Sequence, residues 1–268
     1  MAKVRIAVAG AGGKMGKRIL TLAQSDSEFQ VRGALEKEGS DVLGTDVGLL
    51  LGRDLLGIQV VSDFEEACGS SQVLIDFTHP GATEEHIQGA LKVGIGLVIG
   101  TTGLSERTHA LLKEASRKIP ILQSPNMSTG VNLLFELVQR VSQALDEGYD
   151  IEITESHHRM KKDSPSGTAL EIARLIAETK GWSLGKALVY GRHGQNTEKK
   201  KGTIGIHSLR GGDVVGEHIV SFLGDGEILE LVHRATSRDA FARGALVAAK
   251  FIAGKKRGLY NMGDVLRP

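Results

Sequence analysis

A chain of 268 residues, 41% hydrophobic and 24% charged, is long enough to bury a sizeable core as one large or two modest globular domains. Its formal net charge of +1, from 33 Lys and Arg against 32 Asp and Glu, excludes a global pull toward nucleic acid or an anionic membrane, so charge selectivity must be local. One cysteine, Cys68, rules out an internal disulfide and a multi-cysteine metal centre; with no export leader before the first strand and no apolar run near the roughly 20 residues of a membrane span, the expected location is the cytoplasm.

The N-terminal stretch reads as strand, glycine turn and helix. Val4 to Ala9 is a short apolar strand, Gly10-Ala11-Gly12-Gly13-Lys14-Met15-Gly16 is the turn, and a helix runs from about Lys17 to Gln24. A second strand, Gln30 to Leu35, ends in Glu36-Lys37, with Glu36 20 residues beyond Gly16. That order and interval are those of a dinucleotide-binding βαβ unit. The glycines let the chain turn tightly and let a pyrophosphate rest on the helix N-terminus, while Glu36 can accept hydrogen bonds from an adenosine ribose. The spacing is the variant G-x-x-G-x-x-G at 10, 13 and 16, because Met15 stands where the strict pattern expects its third glycine. Met15 also replaces the Ser or Thr that a Walker A lysine needs, which removes Lys14 from that role. A glycine turn alone could be only a tight turn; strand, helix and acid together favour a cofactor.

After a glycine-rich excursion from Gly39 to Gly57, alternation resumes with a buried strand from Val73 to Phe77, a helix from Thr83 to Val93 and a strand from Leu97 to Gly100. Gly100-Thr101-Thr102-Gly103 then puts small residues and hydroxyls at a strand's carboxyl end, where open α/β sheets bind ligands, and is expected on the nicotinamide side. A helix from Ser105 to Lys118, a strand from Ile119 to Leu122 and the loop Ser124-Pro125-Asn126-Met127-Ser128 close this nucleotide-binding part. Thr129 to Leu145 is a long amphipathic helix.

Beyond it comes a strand from Ile151 to Thr154, then Glu155-Ser156-His157-His158-Arg159-Met160-Lys161-Lys162-Asp163-Ser164-Pro165-Ser166-Gly167-Thr168-Ala169. Five potential cations, His157, His158, Arg159, Lys161 and Lys162, fall within six positions, so their repulsion is relieved only by solvent or a bound anion. Ser164 suits an N-cap and Pro165 a first helical position, so a helix is expected to start there. Its first turn would hold Ser166, Gly167 and Thr168, whose amides have no intrahelical acceptor. Basic side chains facing such amides suit a carboxylate or phosphate, and imidazole and ammonium groups beside them can move protons near neutral pH. The bland alternative is a solvated basic loop before a capped helix; it does not account for adjacent histidines together with a glycine at a helix start.

Strands dominate the remainder: Thr203 to Leu209, Val214 to Leu223 and Ile228 to His233, with alternation in Glu217 to Phe222 that implies one wet or interfacial face. An open sheet of this kind invites pairing with other subunits, so a homo-oligomer is expected. Arg238 to Ala253 is an apolar helix, and the tail from Gly258 to Leu266 is expected to pack back on the first domain. Lys199-Lys200-Lys201 and Lys255-Lys256-Arg257 read as solvated runs. His79, His86, His109, His193, His207, His218 and His233 are scattered singly, as structural or solvated histidines are, and no metal is expected. The fold class is α/β: a Rossmann-like dinucleotide-binding domain, 1–128 completed by 239–268, and an α+β substrate and oligomerisation domain on an open mixed sheet, 129–238.

The string from Glu155 to Ala169 resembles the signature of the 4-hydroxy-tetrahydrodipicolinate reductases (dihydrodipicolinate reductases) of lysine and diaminopimelate biosynthesis. Val8 to Gly16, Ile75 to Thr78, Ile99 to Gly103, Gly130 to Asn132, Gly202 to Gly205, Gly216 to His218 and Gly258 to Leu266 resemble that family's other blocks, so the likeness runs from end to end. The resemblance implies reduction of a small cyclic dicarboxylate: the 4-hydroxy compound loses water, NADH or NADPH gives hydride, and the resulting carbanion is protonated. It implies His157 as proton donor and acceptor, Lys161 as proton donor, and His158, Gly167 and Thr168 as substrate-binding. It implies cofactor contacts at Gly10, Ala11, Gly12, Gly13, Lys14, Met15, Glu36, Lys37, Gly100, Thr101, Thr102, Ser124, Pro125, Asn126 and Met127, with Arg238 near the site, and a tetramer. Lys37 stands where many members have Arg, a point charge in place of a bidentate fork, and Met127 where an aromatic is often seen. Two other readings stay open: a different two-domain Rossmann dehydrogenase acting on an aldehyde or sugar, and a non-catalytic nucleotide sensor that needs the glycine turn but not the basic cluster.

Overall fold

The computed structural model describes residues 2–267. The chain runs β1 (Val4–Ala9), α1 (Lys14–Gln24), β2 (Phe29–Leu35), α2 (Val47–Leu50), β3 (Val60–Val61), α3 (Phe64–Cys68), β4 (Val73–Asp76), α4 (Pro80–Val93), β5 (Gly96–Ile99), α5 (Glu106–Ala115), β6 (Pro120–Gln123) and α6 (Thr129–Ala144). It continues through β7 (Asp150–His157), α7 (Gly167–Lys180), α8 (Leu184–Ala187), β8 (Leu188–Tyr190), β9 (Ile204–Arg210), β10 (Gly216–Gly224), β11 (Glu227–Ala235), α9 (Asp239–Ala253), β12 (Gly258–Tyr260) and α10 (Met262–Leu266). Two units form: residues up to Thr129 with those from Arg238 onward, and Gly130–Ser237.

The first unit is a seven-stranded sheet in the order β12-β6-β5-β4-β1-β2-β3, parallel throughout. Alternate residues of β1 serve opposite faces. Ile6 and Val8 pack with Ile19 and Leu20 of α1 and with Ala245, Ala249 and Ile252 of α9. Ala7 and Ala9 pack with Ile87 and Ala90 of α4 and with Leu112 and Ala115 of α5. Covering both faces is why these strands read as unbroken apolar runs, and each large side chain so buried contributes roughly 1.5–3 kcal/mol. From β1 the chain moves outward through β2 to β3 on one side, then crosses back to β4 on the other. The carboxyl ends of β1 and β4 therefore form a topological switch point.

Several boundaries differ from the sequence reading, each for a local reason. Helix α1 begins at Lys14, not Lys17, so Gly16 sits inside its first turn; a Cβ there would lie 2.1 Å from the Gly10 carbonyl oxygen, an approach only glycine permits. The excursion after Glu36 is ordered around Asp46, whose carboxylate accepts from the amides of Gly48, Leu56 and Ile58 at 2.7, 2.9 and 3.0 Å. That single side chain shapes α2 and the approach to β3. The tail forms β12 against β6, and Met262 of α10 is fully buried in the same unit.

In the second unit five strands pair in the order β11-β10-β7-β9-β8. β10 is antiparallel to both β7 and β11, whereas β9 is parallel to β7 and β8, so the sheet is mixed. One face packs against α6 and α7: Ile151, Ile153, Ile204, Ile206, Val220 and Phe222 meet Leu134, Val138, Ile172 and Ile176. β7 is longer than its apolar core suggests. It carries strict alternation through to Glu155 and His157, both buried on the helix-facing side.

Candidate active site

At the switch point, Gly10 adopts φ +72° and the amides of Gly10 and Ala11 both donate to the Leu35 carbonyl at 2.9 and 3.2 Å. Gly13 is the N-cap of α1 and supplies no side-chain cap, so the first-turn N–H groups of an 11-residue helix have no side-chain acceptor. Glu36 turns its carboxylate back on the turn, accepting from Gly12 N at 3.0 Å and Lys37 N at 3.1 Å. A cavity of about 290 Å³ opens beside them, lined by Gly10, Glu36, Lys37, Phe64, Thr78 and His79 among others. An uncapped helix start for a pyrophosphate, an acid at the end of β2 and an adjoining cavity of this size fit a dinucleotide.

The neighbouring strand ends are tied together by Asp76, the fully buried last residue of β4. It accepts from Thr78 Oγ1 at 2.6 Å, Thr83 Oγ1 at 2.8 Å and Thr101 Oγ1 at 3.2 Å, and pairs with His86 Nδ1 at 3.0 Å. Burial pushes its carboxyl up, but His86 and the hydroxyls outweigh that and hold it below the ordinary range. Thr101 is thereby fixed by its side chain, while Thr102 is exposed. In the loop after β6, Ser124 Oγ donates to the Asn126 carbonyl at 2.8 Å and Pro125 is exposed. Met127 and Ala11 are buried in the core, so their backbones alone are available to a ligand.

The second candidate site lies where β7 ends and α7 begins. His157 is the last residue of β7, and its Nδ1 lies 2.5 Å from Oε2 of Glu155. Arg210 of β9 grips the same carboxylate from both η nitrogens, at 2.8 and 2.7 Å. Ser166 closes the cluster: its amide donates to Glu155 Oε1 at 3.1 Å, its hydroxyl caps α7 by accepting from Ala169 N at 3.1 Å, and it meets His218 Nε2 at 3.0 Å. The rings of His157 and His218 stand edge to face with centroids 5.3 Å apart. Burial lowers the proton affinity of both imidazoles; His218 falls to about 3, its charging further opposed by any proton on neighbouring His157, while at His157 Glu155 opposes the fall. The loop that follows holds half-buried His158 and Lys161, and Gly167 opens α7 exposed, with nothing within 4 Å of where a Cβ would be. Thr168 follows it, half-buried.

Four expectations are corrected here. The cap of α7 is Ser166, not Ser164, and Pro165 precedes the helix, because only Ser166 places its hydroxyl on the amide of Ala169. The Ser166 amide is consequently not open to a ligand, since Glu155 already accepts from it. Nor does the cationic run rely only on solvent or a ligand: Lys161 Nζ pairs with Asp163 at 2.9 Å and His157 with Glu155. Lys199, read as part of a solvated run, is half-buried and donates to the Ile151 carbonyl and to Glu152, both at 2.7 Å. Glu152 also takes Arg192 and His207, and against the effect of burial these hydrogen bonds, with that of Lys199, hold it at about 2. Arg238 stands at the start of α9 in the first unit. The sequence reading missed Glu155 and Arg210. A Glu in register with Ile151 and Ile153 on the apolar side of a strand was the available signal, since a buried carboxylate demands a partner.

Among the described residues no helix is long and apolar enough to cross a membrane, and no group of three His, Cys, Asp or Glu side chains could hold a metal ion. A parallel sheet of this order with an uncapped helix after its first glycine turn defines the class: a two-unit α/β protein with a Rossmann-like dinucleotide-binding unit. Residues 4–127 match the family "Dihydrodipicolinate reductase, N-terminus" and residues 130–266 match "Dihydrodipicolinate reductase, C-terminus". The chain belongs to the dihydrodipicolinate reductase family. It is 47% identical over 262 residues to a 4-hydroxy-tetrahydrodipicolinate reductase of Anaeromyxobacter dehalogenans, covering 98% of this chain and 97% of that one. With a relative of the same name from Rubrobacter xylanophilus it shares 50% identity over 263 residues, 98% of each chain. Among solved structures, a dipicolinate-bound dihydrodipicolinate reductase from Paenisporosarcina sp. TG-14 superposes with TM-score 0.75 at 23% identity over 97% of each chain. An amine dehydrogenase from Mycobacterium smegmatis gives TM-score 0.59 at 12% identity, over 98% of this chain and 96% of that one, and shares the fold.

Proposed function

We propose that the chain reduces 4-hydroxy-tetrahydrodipicolinate to tetrahydrodipicolinate with loss of water, in lysine and diaminopimelate biosynthesis. NADH or NADPH supplies the hydride when bound. In the first unit the glycine turn from Gly10 to Met15 receives the pyrophosphate on the open start of α1, and Glu36 with Lys37 meets the adenosine ribose. Gly100 to Thr102 and Ser124 to Asn126, with the backbone of Met127, border the nicotinamide. The second unit holds the doubly negative ring: the Gly167 amide, Thr168 and His158 grip its carboxylates, and His157 and Lys161 manage the protons.

The observation that carries this reading is the junction of β7 and α7. There a buried, carboxylate-backed imidazole, a half-buried lysine and the exposed glycine start of a 14-residue helix converge. A dianion needs two anion sites and a proton source, and the junction offers groups for each. The test is oxidation of NADH and of NADPH by the purified protein with freshly generated hydroxy-tetrahydrodipicolinate. Substrate-dependent oxidation is expected; tight dinucleotide binding without turnover would instead make the protein a nucleotide sensor.

We also propose that the second unit's sheet joins copies of the chain into a tetramer in the cytoplasm. Leu209 of β9 and Ile228 and Val232 of β11 leave 51%, 64% and 43% of their surfaces exposed, apolar area that a partner sheet would cover. Light scattering should return four times the chain mass; a monomer at micromolar concentration contradicts this.

A further inference from the structure

Glu155 draws a cluster of donors around one buried carboxylate. Oε1 takes Arg210 Nη2 at 2.7 Å and the Ser166 amide at 3.1 Å; Oε2 takes Arg210 Nη1 at 2.8 Å and faces His157 Nδ1 at 2.5 Å. Burial pushes the carboxyl up, but Arg210, Ser208 and His157 outweigh it and hold it at about 2. An ionised carboxylate has no proton to give, so His157 Nδ1 must be the donor in this bond. The other ring nitrogen is treated differently. A Cβ at residue 216 would stand 3.1 Å from His157 Nε2, and glycine there leaves the approach open. His218 meets the imidazole edge to face at an interplanar angle of 74°, which fixes the plane of the ring.

We infer that Glu155, clamped by Arg210, is a positioning residue that locks His157 in the Nδ1-protonated tautomer and reserves Nε2 for proton exchange with the substrate. The inference rests on the reading of His157 as the proton-transfer group. The groups facing the ring are Glu155 from its own strand, Arg210 from β9, His218 from β10 and Lys161 from the following loop. Only Glu155 is anionic, so it also sustains the imidazole's proton affinity against burial and two cations.

The amide of Glu155→Gln has one oxygen where the carboxylate has two. Both donors on the Oε1 position, a guanidinium nitrogen and a backbone amide, can only donate, whereas His157 can give up its Nδ1 proton, so the oxygen stays at Oε1 and the NH2 group falls opposite His157 Nδ1 and Arg210 Nη1. A donor then faces Nδ1, and the ring must move its proton to Nε2. Adding Arg210→Met removes the clash between donors without restoring the tautomer. The experiment therefore uses the full chain as wild type, Glu155→Gln and the double variant.

Nitrogen-15 spectra of the resting protein should give a pyrrole-type Nδ1 and pyridine-type Nε2 for His157 in the wild type, and the reverse in both variants. In turnover, kcat should fall about 10²-fold in both variants, with the kcat profile moved to lower pH and KM for both reactants held within about twofold. The double variant should regain thermal stability but not kcat. Recovery of wild-type kcat along with stability would make the pair merely structural and overturn the inference, as would a wild-type His157 protonated at Nε2. If the wild type binds dinucleotide but reduces no dicarboxylate, the functional reading falls while the nitrogen spectra still decide the clamp.

Discussion

His157 and Lys161 occupy one junction but answer to different counter-charges, the first to buried Glu155 and the second to exposed Asp163. A lysine whose partner is exposed can leave it to deliver a proton to the substrate; an imidazole held at 2.5 Å on a buried carboxylate stays in place. His157→Gln and Lys161→Ala should each lower kcat by about 10²-fold or more while leaving dinucleotide affinity unchanged. Glu36→Ala should do the opposite, weakening dinucleotide binding about tenfold, the value of one charge-assisted hydrogen bond, with kcat at saturation retained. Steady-state kinetics with fluorescence titration separates them, and equal losses of affinity in all three variants would contradict the division of labour. At this scale the sequence was a good guide to which residues bear charge and a poor one to what neutralises them. Glu155 could have been read from its place in the alternation of β7. Arg210 could not, because the register that sets it opposite His157 is a product of β7–β9 pairing across more than 50 residues.

The elements carry their own tests. Ser166 caps α7, supports Glu155 through its amide and meets His218 through its hydroxyl, so Ser166→Ala should cost about 1–2 kcal/mol in urea denaturation. Ser164→Ala should be near neutral; equal losses at the two positions would restore the earlier cap. Gly16→Ala forces a Cβ to 2.1 Å from the Gly10 carbonyl and should cost about 1–3 kcal/mol while opening the dinucleotide turn, read as a loss of both Tm and dinucleotide affinity. The repeating strands and helices up to β6 were legible because burial on both faces writes itself as apolar runs. The excursion through α2, β3 and α3 was not. It is organised by the Asp46 carboxylate and by short elements of two to five residues that leave no periodicity to read.

Across the whole molecule a formal charge of +1 conceals strongly perturbed groups, and these set the response to acid. His218, with its folded pKa lowered from 6.5 to about 3, favours the folded state fully above pH 6.5; that contribution is lost as pH falls from 6.5 toward 3, at about 1.4 kcal/mol per pH unit. His157 and His233 are lowered in the same sense. Glu152 and Glu155, lowered from 4.5 to about 2, lose their contributions only below pH 4.5. Stability measured by urea denaturation should therefore already decline between pH 6.5 and 4.5, and His218→Gln should flatten that decline; an unchanged slope would remove His218 from the account. Both units serve one event, the passage of hydride from a nicotinamide to a dianionic ring. The most direct measurement is to run the reaction with reduced dinucleotide deuterated at the transferring position and locate the label by mass spectrometry. One deuterium is expected on a ring carbon of the tetrahydrodipicolinate formed, matched one for one by oxidised dinucleotide; label that stays with the dinucleotide or exchanges into water rules out hydride transfer to the ring.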